Sequence, residues 1–343
     1  MTVSFESIPR FSAAEALEAA RAGYGLCGEA AALPSERDQN FVISDPRRGK
    51  FVLKIANRED SAELLDFQHQ AMRRVARAGC RVRVPEVVPS LAGALVQTLR
   101  SGAGLAYRVR LLTWVEGTVL TDCRPRAAAL LESIGACLAC IDRALESCVH
   151  PAMHRVLQWD LRHAGLARGK AALMPSRWRR RVEAAFARWD EVDWAALRHG
   201  VIHGDANEDN VLVSSGRMCG LLDFGDMVHS ATVCELAVAL AYAMLRERDP
   251  LESAAALIRG YHRHNPLSDA EQLALYPLVL ARLAASLCYA AYNRRLNPGD
   301  PYQVVSEEPA RELLERLEAY PADAAPAMIR GACGAAITPN RSP

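Results

Sequence analysis

The chain has 343 residues, of which 50% are hydrophobic and 24% are charged, and its formal net charge is +1. This length allows two lobes with separate hydrophobic cores. A charge so close to zero excludes a global field that would attract nucleic acid, so we expect no nucleic-acid partner.

The sequence gives no indication of export or of a membrane partner. Its first residues are polar and lack the apolar core of a signal peptide. The longest uninterrupted apolar run, at 236–245, is too short to cross a bilayer. The ten cysteines lie mainly in apolar, helix-like settings, which favours reduced thiols and a cytoplasmic protein. Cys137 and Cys140 have C-x-x-C spacing, but without a second nearby pair they do not predict a zinc or redox site.

The first third of the chain is predicted to be mainly β-structure. Apolar runs bounded by turn residues predict strands at 29–33, 41–44, 51–55, 94–99 and 107–112. Between the third and fourth of these strands, apolar residues recur at helical spacing over 61–78.

A polar, turn-forming loop joins the first two strands at 33–41. It lacks the glycines of a phosphate-covering loop. Backbone N–H groups and Ser35 could still cap a phosphate, and Arg37 could add positive charge. The alternative is an ordinary hairpin loop.

Lys54 is the single cation inside the apolar strand 51–55. A lysine in a strand buried on both faces is unfavourable unless its ammonium meets an anion. Lys54 is therefore a candidate to bind nucleotide phosphates, although an edge-strand lysine that points to water is the alternative. A partner is expected on the following helix, where the candidates are Asp66, Glu63 and the neutral Gln68.

The most informative segment is an H-G-D-x-x-x-x-N loop at 203–210, followed by D-F-G at 223–225. Asp205 is the candidate base that would orient or deprotonate an acceptor. Asn210 and Asp223 are the candidate metal ligands, because magnesium prefers hard oxygen donors. This order and spacing predict a phosphoryl-transfer site that holds a nucleotide through Mg²⁺.

Short predicted strands flank this motif, at 200–203, 211–214 and 219–222. The last two would form a hairpin that carries Asn210 and Asp223 to one end, side by side. We expect His203 to brace the loop by hydrogen bonding and not to transfer a proton. The alternative is that the residues of both motifs only cap helices and form turns, since Asp, Asn and Gly are common in loops.

From residue 126 onward the pattern is mainly helical, with helices predicted at 126–145, 176–188, 232–246, 251–264, 269–296 and 308–320. The segment from 321 is rich in Pro, Ala and Gly, so we expect it to be flexible.

An amino-acid acceptor would need acids for its ammonium groups and a cation for its carboxylate. Asp226 follows the predicted metal ligand closely and could meet an ammonium. Trp159 could lay its ring against a cationic amine beside Asp160, or could simply pack a loop. Arg282 interrupts an apolar helix face and could bind a carboxylate or pair with a buried acid. Glu235 could meet an ammonium or could serve only as a first-turn acid.

These motifs resemble the aminoglycoside phosphotransferase and choline kinase superfamily, which is related in fold to protein kinases. The resemblance rests on the loop at 33–41, Lys54, the segment 111–117 and the H-G-D and D-F-G motifs. Within that superfamily, the chain resembles the hydroxylysine kinase branch. The segments that carry this resemblance are L-P-S-x-x-D-Q-N-F at 33–41, V-L-K-I at 52–55, W-D-L at 159–161 and L-D-F-G-D-M at 222–227. The resemblance extends from about residue 24 to about residue 320.

The resemblance implies an α+β, two-lobed, protein-kinase-like fold with a small N-terminal lobe that contains an antiparallel sheet. The expected nucleotide-binding lobe is 1–114, the mainly helical catalytic and acceptor-binding lobe is 115–320, and the flexible tail is 321–343. Trp114 and Val115 would form the hinge whose backbone meets the nucleobase.

The implied reaction is transfer of the γ-phosphoryl group of ATP or GTP to a hydroxyl of a small amino acid or amino alcohol, with 5-hydroxylysine as the first candidate. GTP serves hydroxylysine kinases as donor, but no residue of this chain reveals that preference. Homoserine, choline, ethanolamine and an aminoglycoside are alternative acceptors, although the segment 150–165 is not strongly acidic, as an aminoglycoside pocket should be. A non-catalytic nucleotide-binding protein is a further alternative, which the intact Asp205, Asn210 and Asp223 argue against.

Overall fold

The expected strands of the first third of the chain join one sheet in the computed structural model, which describes residues 8–35, 37–296 and 307–334. These residues divide into two compact units. The first unit contains the described residues up to Arg73, together with Val84–Glu116 and His150–Ala152. The second contains Arg74–Arg83, Gly117–Val149 and the described residues from Met153 onward.

This division differs from the continuous segments 1–114 and 115–320 that the sequence suggested. Residues 74–83 group with the second unit and residues 150–152 group with the first. Tertiary packing decides which unit a short segment joins. A single boundary along the sequence cannot describe such an arrangement.

The first unit is built on one antiparallel sheet. Its elements are α1 (Ala13–Tyr24), β1 (Glu29–Leu33), β2 (Gln39–Asp45), β3 (Gly49–Ile55), α2 (Ala62–Arg77), β4 (Val87–Val88), β5 (Gln97–Arg100) and β6 (Ala106–Thr113). The strand order is β1-β2-β3-β6-β4, with β5 also paired to β6. In this register Lys54 on β3 lies between Asn40 on β2 and Arg110 on β6.

Helix α1 was not expected from the sequence, although a capping box marks its start. The Ser12 hydroxyl accepts a hydrogen bond from the Glu15 N–H, and the Glu15 carboxylate accepts one from the Ser12 N–H. The helix packs its buried face, which includes Ala16 and Ala20, into the core that the sheet also lines.

The second unit is mainly helical. Its elements are β7 (Thr118–Val119), α3 (Ala128–Leu145), α4 (Gly165–Arg168), α5 (Ser176–Asp190), β8 (His199–Ile202), β9 (Val211–Ser214), β10 (Arg217–Leu221), β11 (Val228–Ala231), α6 (Val233–Ala243), α7 (Pro250–His262), α8 (Asp269–Leu296), α9 (Glu307–Ala319) and α10 (Ala324–Gly334). The strands form two small antiparallel sheets, β10-β9-β7 and β11-β8. Together the two units confirm the expected α+β class, with an antiparallel sheet first and a mainly helical part after it.

Helix α8 is the central helix of the second unit and has the bounds expected from its apolar spacing. Its length and composition would allow it to cross a membrane, but 78% of its most apolar window is buried within the folded chain. It packs against α5, α6 and α9, as the core helix of a folded unit does.

The expectation of a flexible tail at 321–343 is wrong for residues 324–334, which form α10. Ala325, Ile329 and Ala332 recur at three–four spacing and are buried. The helix packs against α7 and α8, which explains why a segment rich in small residues is ordered. Residues 335–343 lie outside the described residues.

The expectation that all cysteines are reduced is also corrected, because Cys80 and Cys140 form a disulfide. Cys140 belongs to the C-x-x-C pair, yet its partner is 60 residues away in sequence and not the neighbouring Cys137. Disulfide formation requires close Cα atoms, which spacing along the chain does not reveal. The cytoplasmic location stays a prediction.

Two glycines allow α3 and α7 to pack closely. A Cβ at position 260 would lie 2.0 Å from the carbonyl oxygen of Glu132, and one at position 135 would lie 2.0 Å from that of Leu257. Neither position has room for a side chain without movement of a helix backbone.

Gly260→Ala is expected to lower the free energy of unfolding by about 1–3 kcal/mol, because the added methyl group overlaps backbone atoms. Gly331→Ala is the matched control, since a Cβ at that helical position meets no atom within 4 Å. The control should be neutral, or stabilising by up to about 1 kcal/mol. Urea-induced unfolding measures both changes, and a wild-type midpoint for Gly260→Ala would contradict the close helix contact.

Candidate active site

The predicted hairpin is present and brings Asn210 and Asp223 to the same end. Val211 on β9 lies opposite Leu221 on β10. Beyond this pair, the Leu222 N–H donates to the Asn210 carbonyl at 2.8 Å. The two candidate ligands therefore flank the open end of the hairpin, as the sequence suggested.

Asp205 is held by side chains of its own loop. Its Oδ1 accepts a hydrogen bond from Asn207 Nδ2 at 3.0 Å, and its Oδ2 accepts one from Asn210 Nδ2 at 2.8 Å. Arg282 Nη2 lies 3.5 Å from Oδ1, and the Asp205 side chain is 20% exposed. The carboxylate is thus fixed in orientation while part of it stays accessible.

Three carboxylates make this region strongly negative. Burial raises the pKa of Asp205 well above its ordinary value, and the charges of Asp226 and Asp223 raise it further. The Arg282 guanidinium and the hydrogen bond from Asn207 act in the opposite direction. A divalent cation in this region would relieve the repulsion among the carboxylates.

The chemistry of the hairpin end fits magnesium. Because Asn210 Nδ2 donates to the backbone oxygen of Asp205 at 2.9 Å as well as to its side chain, the amide oxygen Oδ1 is directed away from Asp205. Asn210 and Asp223 thus offer two hard oxygen donors. No group of three His, Cys, Asp or Glu side chains within the described part of the chain could hold a metal by itself. Two protein ligands suit an ion that takes its other ligands from phosphates and water.

His203 braces this loop through both ring nitrogens. Its Nε2 lies 2.9 Å from the Leu222 carbonyl oxygen, and its Nδ1 accepts the Asp205 N–H at 3.3 Å. The ring is fully buried and meets Phe224 edge to face. These contacts join the segment that precedes Asp205 to the segment that precedes Asp223.

Glu235, at the start of α6, anchors the same loop. Its Oε2 accepts the Gly204 N–H at 2.7 Å, and the side chain is fully buried. Gly204 has φ of 79°, and a Cβ there would lie 3.0 Å from the Asp226 carbonyl oxygen. The geometry favours loop anchoring over the alternative that Glu235 meets an ammonium of the acceptor.

Glu208 is a loop residue that the sequence did not single out. Arg126 Nη2 and Arg124 Nη2 donate to its Oε2 at 2.5 and 2.9 Å, and Arg246 Nη1 donates to its Oε1 at 3.0 Å. Because the three arginines are distant in sequence, only the position of Glu208 inside the H-G-D-x-x-x-x-N loop could have drawn attention to it.

Arg282 and Trp159 lie in one aromatic cluster. The guanidinium of Arg282 lies 4.6 Å from the Trp159 ring centroid and 5.4 Å from that of Tyr242. The Trp159 ring also contacts Tyr289, with centroids 4.7 Å apart. Trp159 therefore places its ring against a protein cation, where the sequence suggested a cationic acceptor.

The contacts of Asp160 indicate a structural role and do not favour the substrate contact expected from the sequence. Its Oδ1 accepts hydrogen bonds from Ser230 Oγ at 2.6 Å and from the Arg162 N–H at 3.0 Å. Its Oδ2 lies 3.1 Å from His163 Nδ1. The side chain caps a short 3₁₀ helix and is buried, so both oxygens are committed within the fold.

In the first unit, the expectation that Asp66 pairs with Lys54 is wrong. Asp66 is on the outer face of α2, is half exposed and pairs with His150. Gln68 accepts a hydrogen bond from Arg110 Nη2 at 2.5 Å. Lys54 lies 3.6 Å from Asp38 Oδ2. This partner comes from the loop between β1 and β2, where Asp38 stands in the motif at 33–41.

The remaining candidates for nucleotide binding are placed as follows. Ser35 lies in the β1–β2 loop and is partly exposed. Trp114 and Val115 directly follow β6, and Lys50 Nζ lies 5.4 Å from the Trp114 ring centroid. Their contacts with a nucleotide stay predictions.

Comparisons with known proteins agree with these motifs. The sequence profile of the phosphotransferase enzyme family matches residues 29–276. The hydroxylysine kinase of Danio rerio is 29% identical over 335 residues, which cover 91% of this chain and 93% of that protein. The hydroxylysine kinase of Mus musculus is 31% identical over 320 residues and 83% of each chain.

A solved structure of an amicoumacin kinase, in complex with AMP-PNP, Ca²⁺ and its Ami ligand, is similar in fold. The TM-score is 0.69 at 17% sequence identity, and the match covers 90% of this chain and 94% of that one. This likeness confirms the kinase-like fold that the sequence motifs implied.

Proposed function

Because this chain belongs to the phosphotransferase enzyme family and is related to the hydroxylysine kinases within it, we propose that it transfers the γ-phosphoryl group of ATP or GTP to the hydroxyl of 5-hydroxylysine. One observation supports this proposal above the others. Asp205 is fixed beside the hairpin end that carries Asn210 and Asp223. Magnesium-dependent phosphoryl transfer uses these residue types as the base and as metal ligands.

Asp205 acts on the acceptor. In a loose phosphoryl-transfer transition state the protein mainly orients the reactants and balances charge. The amides of Asn207 and Asn210 fix the Asp205 carboxylate, which then orients the acceptor hydroxyl. As the new oxygen–phosphorus bond forms, the bond between the γ-phosphorus and the bridging oxygen of the donor breaks, nucleoside diphosphate leaves and Asp205 takes up the hydroxyl proton.

Asn210 Oδ1 and the Asp223 carboxylate would hold the metal ion. Bound magnesium supplies positive charge to the phosphates of the donor. The left-handed backbone at Asp223, with φ of 51°, sets the direction of its side chain, whose Oδ1 accepts the Gly225 N–H at 3.1 Å.

In the first unit, Lys54 is the cation proposed for the donor phosphates. It is 6% exposed, so its ammonium must be balanced by negative charge. Asp38 contributes such a charge, and donor phosphates would contribute more. Ser35 is proposed to cap a phosphate, and the backbone of Trp114 and Val115 is proposed to meet the nucleobase.

Asp226 is the proposed contact for an acceptor ammonium. Its charge raises the pKa of Asp205, the residue proposed to face the reacting hydroxyl. A cationic amine near Asp226 would be favourable in this negative region.

Asp205→Asn is expected to lower turnover about a thousandfold or more, while nucleotide affinity changes little, because the carboxylate acts mainly in the transition state. Asp209→Asn is the matched control, since this acid of the same loop is exposed and bonds to Thr121. Steady-state kinetics and nucleotide titration measure both quantities. Near-normal turnover of Asp205→Asn would remove this residue from the mechanism.

Asp223→Ala is expected to abolish magnesium-dependent nucleotide binding, because the metal loses its only proposed carboxylate ligand. Calorimetric titration of nucleotide with and without magnesium measures this effect, with Asp209→Ala as the control. If magnesium strengthens nucleotide binding equally in Asp223→Ala and the wild type, Asp223 is not a ligand.

The donor and acceptor are tested together in a panel. ATP and GTP are each combined with 5-hydroxylysine, homoserine, choline, ethanolamine or kanamycin, and release of nucleoside diphosphate is followed. We expect the highest kcat/KM with 5-hydroxylysine. A higher kcat/KM with another acceptor would identify that acceptor as the substrate in place of 5-hydroxylysine. Absence of acceptor-dependent turnover with every combination would contradict the proposed activity.

A further inference from the structure

Arg282 is a buried cation in the middle of the core helix α8. It is 3% exposed, and its neighbours Ala281 and Leu283 are buried as well. An arginine in such a position is unfavourable unless its charge and its donors are matched by the surroundings. Its contacts therefore indicate what the position is used for.

These contacts direct the guanidinium to Asp205. Nη1 donates to the Trp159 carbonyl at 3.2 Å, and Nη2 donates to the Tyr242 hydroxyl at 3.2 Å. The same Nη2 lies 3.5 Å from Asp205 Oδ1. The Trp159 and Tyr242 rings lie against the guanidinium, so the group is held from several sides.

The charge of Arg282 balances the carboxylates of the site. The charges of Asp226 and Asp223 both act on Asp205. Among the described residues, Arg282 is the guanidinium that forms an ion pair with Asp205. Without it, Asp205 would have amide donors from Asn207 and Asn210 but no ion pair within the described part of the chain.

The Arg282 side chain is almost completely shielded from solvent, with 3% of it exposed. A cavity next to it, lined also by Tyr242, Leu283 and Ala310, has a volume of about 10 Å³. That is space for about one water molecule, and a carboxylate group would not fit. Nη1 and Nη2 are bonded to Trp159, Tyr242 and Asp205, and Nε, which has no hydrogen-bond partner, is shielded from solvent.

We propose that Arg282 is a positioning residue for Asp205 and not the ligand of an acceptor carboxylate. This inference deepens the proposed kinase function and rests on it. Arg282 fixes Oδ1 of Asp205, while Tyr242 and the Trp159 backbone fix Arg282. Residues of α6 and of the loop that precedes α4 thereby set the direction in which Asp205 faces the acceptor hydroxyl.

The test compares Arg282→Lys and Tyr242→Phe with the wild type on two acceptors, one with a carboxylate (5-hydroxylysine or homoserine) and one without (ethanolamine). Arg282→Lys should lower kcat about a hundredfold with both acceptors, because one ammonium cannot reproduce the contacts of the guanidinium with Trp159, Tyr242 and Asp205 at the same time. The acceptor KM should change by no more than about twofold. Tyr242→Phe should lower kcat about tenfold in the same pattern, because it only loosens Arg282.

Arg259→Lys is the control. Arg259 forms a structural ion pair with Glu132 on α3, and we expect its substitution to leave kcat unchanged. Nucleotide affinity and the thermal unfolding midpoint of each variant show whether the fold is intact. If Arg282→Lys does not fold, Tyr242→Phe decides the question by the same comparison of kcat with KM.

Three results would overturn the proposal. A rise in KM confined to the acceptor with a carboxylate would assign Arg282 to that carboxylate. An unchanged kcat in both variants would leave Arg282 a purely structural residue. A wild-type protein without turnover on either acceptor would remove the proposed function as well. A wild type that uses only ethanolamine would overturn the proposed acceptor alone, and the effect on kcat would still be read with ethanolamine.

Discussion

The proposed site depends on holding the Asp205 carboxylate near two other carboxylates. The charges of Asp226 and Asp223 raise the pKa of Asp205, which means that they disfavour its charged form. The fold keeps them close by fixing the backbone on either side, with His203 joining the two segments and Glu235 holding Gly204. Such a site stores unfavourable electrostatic energy when folded, which a bound cation can then convert into affinity.

Features that depend on local order were predictable from the sequence. The hairpin at 211–222 follows from two short apolar runs around a turn, and its pairing carries Asn210 and Asp223 to one end. The bounds of α8 follow from apolar spacing and match the structure. In each case, neighbouring residues contain the information that determines the geometry.

Contacts between side chains that are far apart in the sequence were not predictable. The sequence suggested Asp66, Glu63 or Gln68 as the partner of Lys54. Asp66 is half exposed and pairs with His150, Gln68 accepts from Arg110, and Asp38 lies beside the lysine. The adjacent Trp159 and Asp160 looked like one unit, yet the first contacts Arg282 and the second caps a 3₁₀ helix. Such pairings depend on how the helices, strands and loops pack together. The spacing of residue types along the chain does not predict that packing.

The anchoring of Glu208 has a consequence for motion. Its carboxylate joins the loop to Arg126, which also donates to the carbonyl oxygens of Tyr242 and Ala243 at the end of α6. Opening the loop would take the Glu208 carboxylate away from the Arg126 guanidinium, whose side chain is fully shielded from water, and would leave it with Glu247 and backbone carbonyls as partners. Excursions of the loop from the native state are therefore coupled to the end of a core helix.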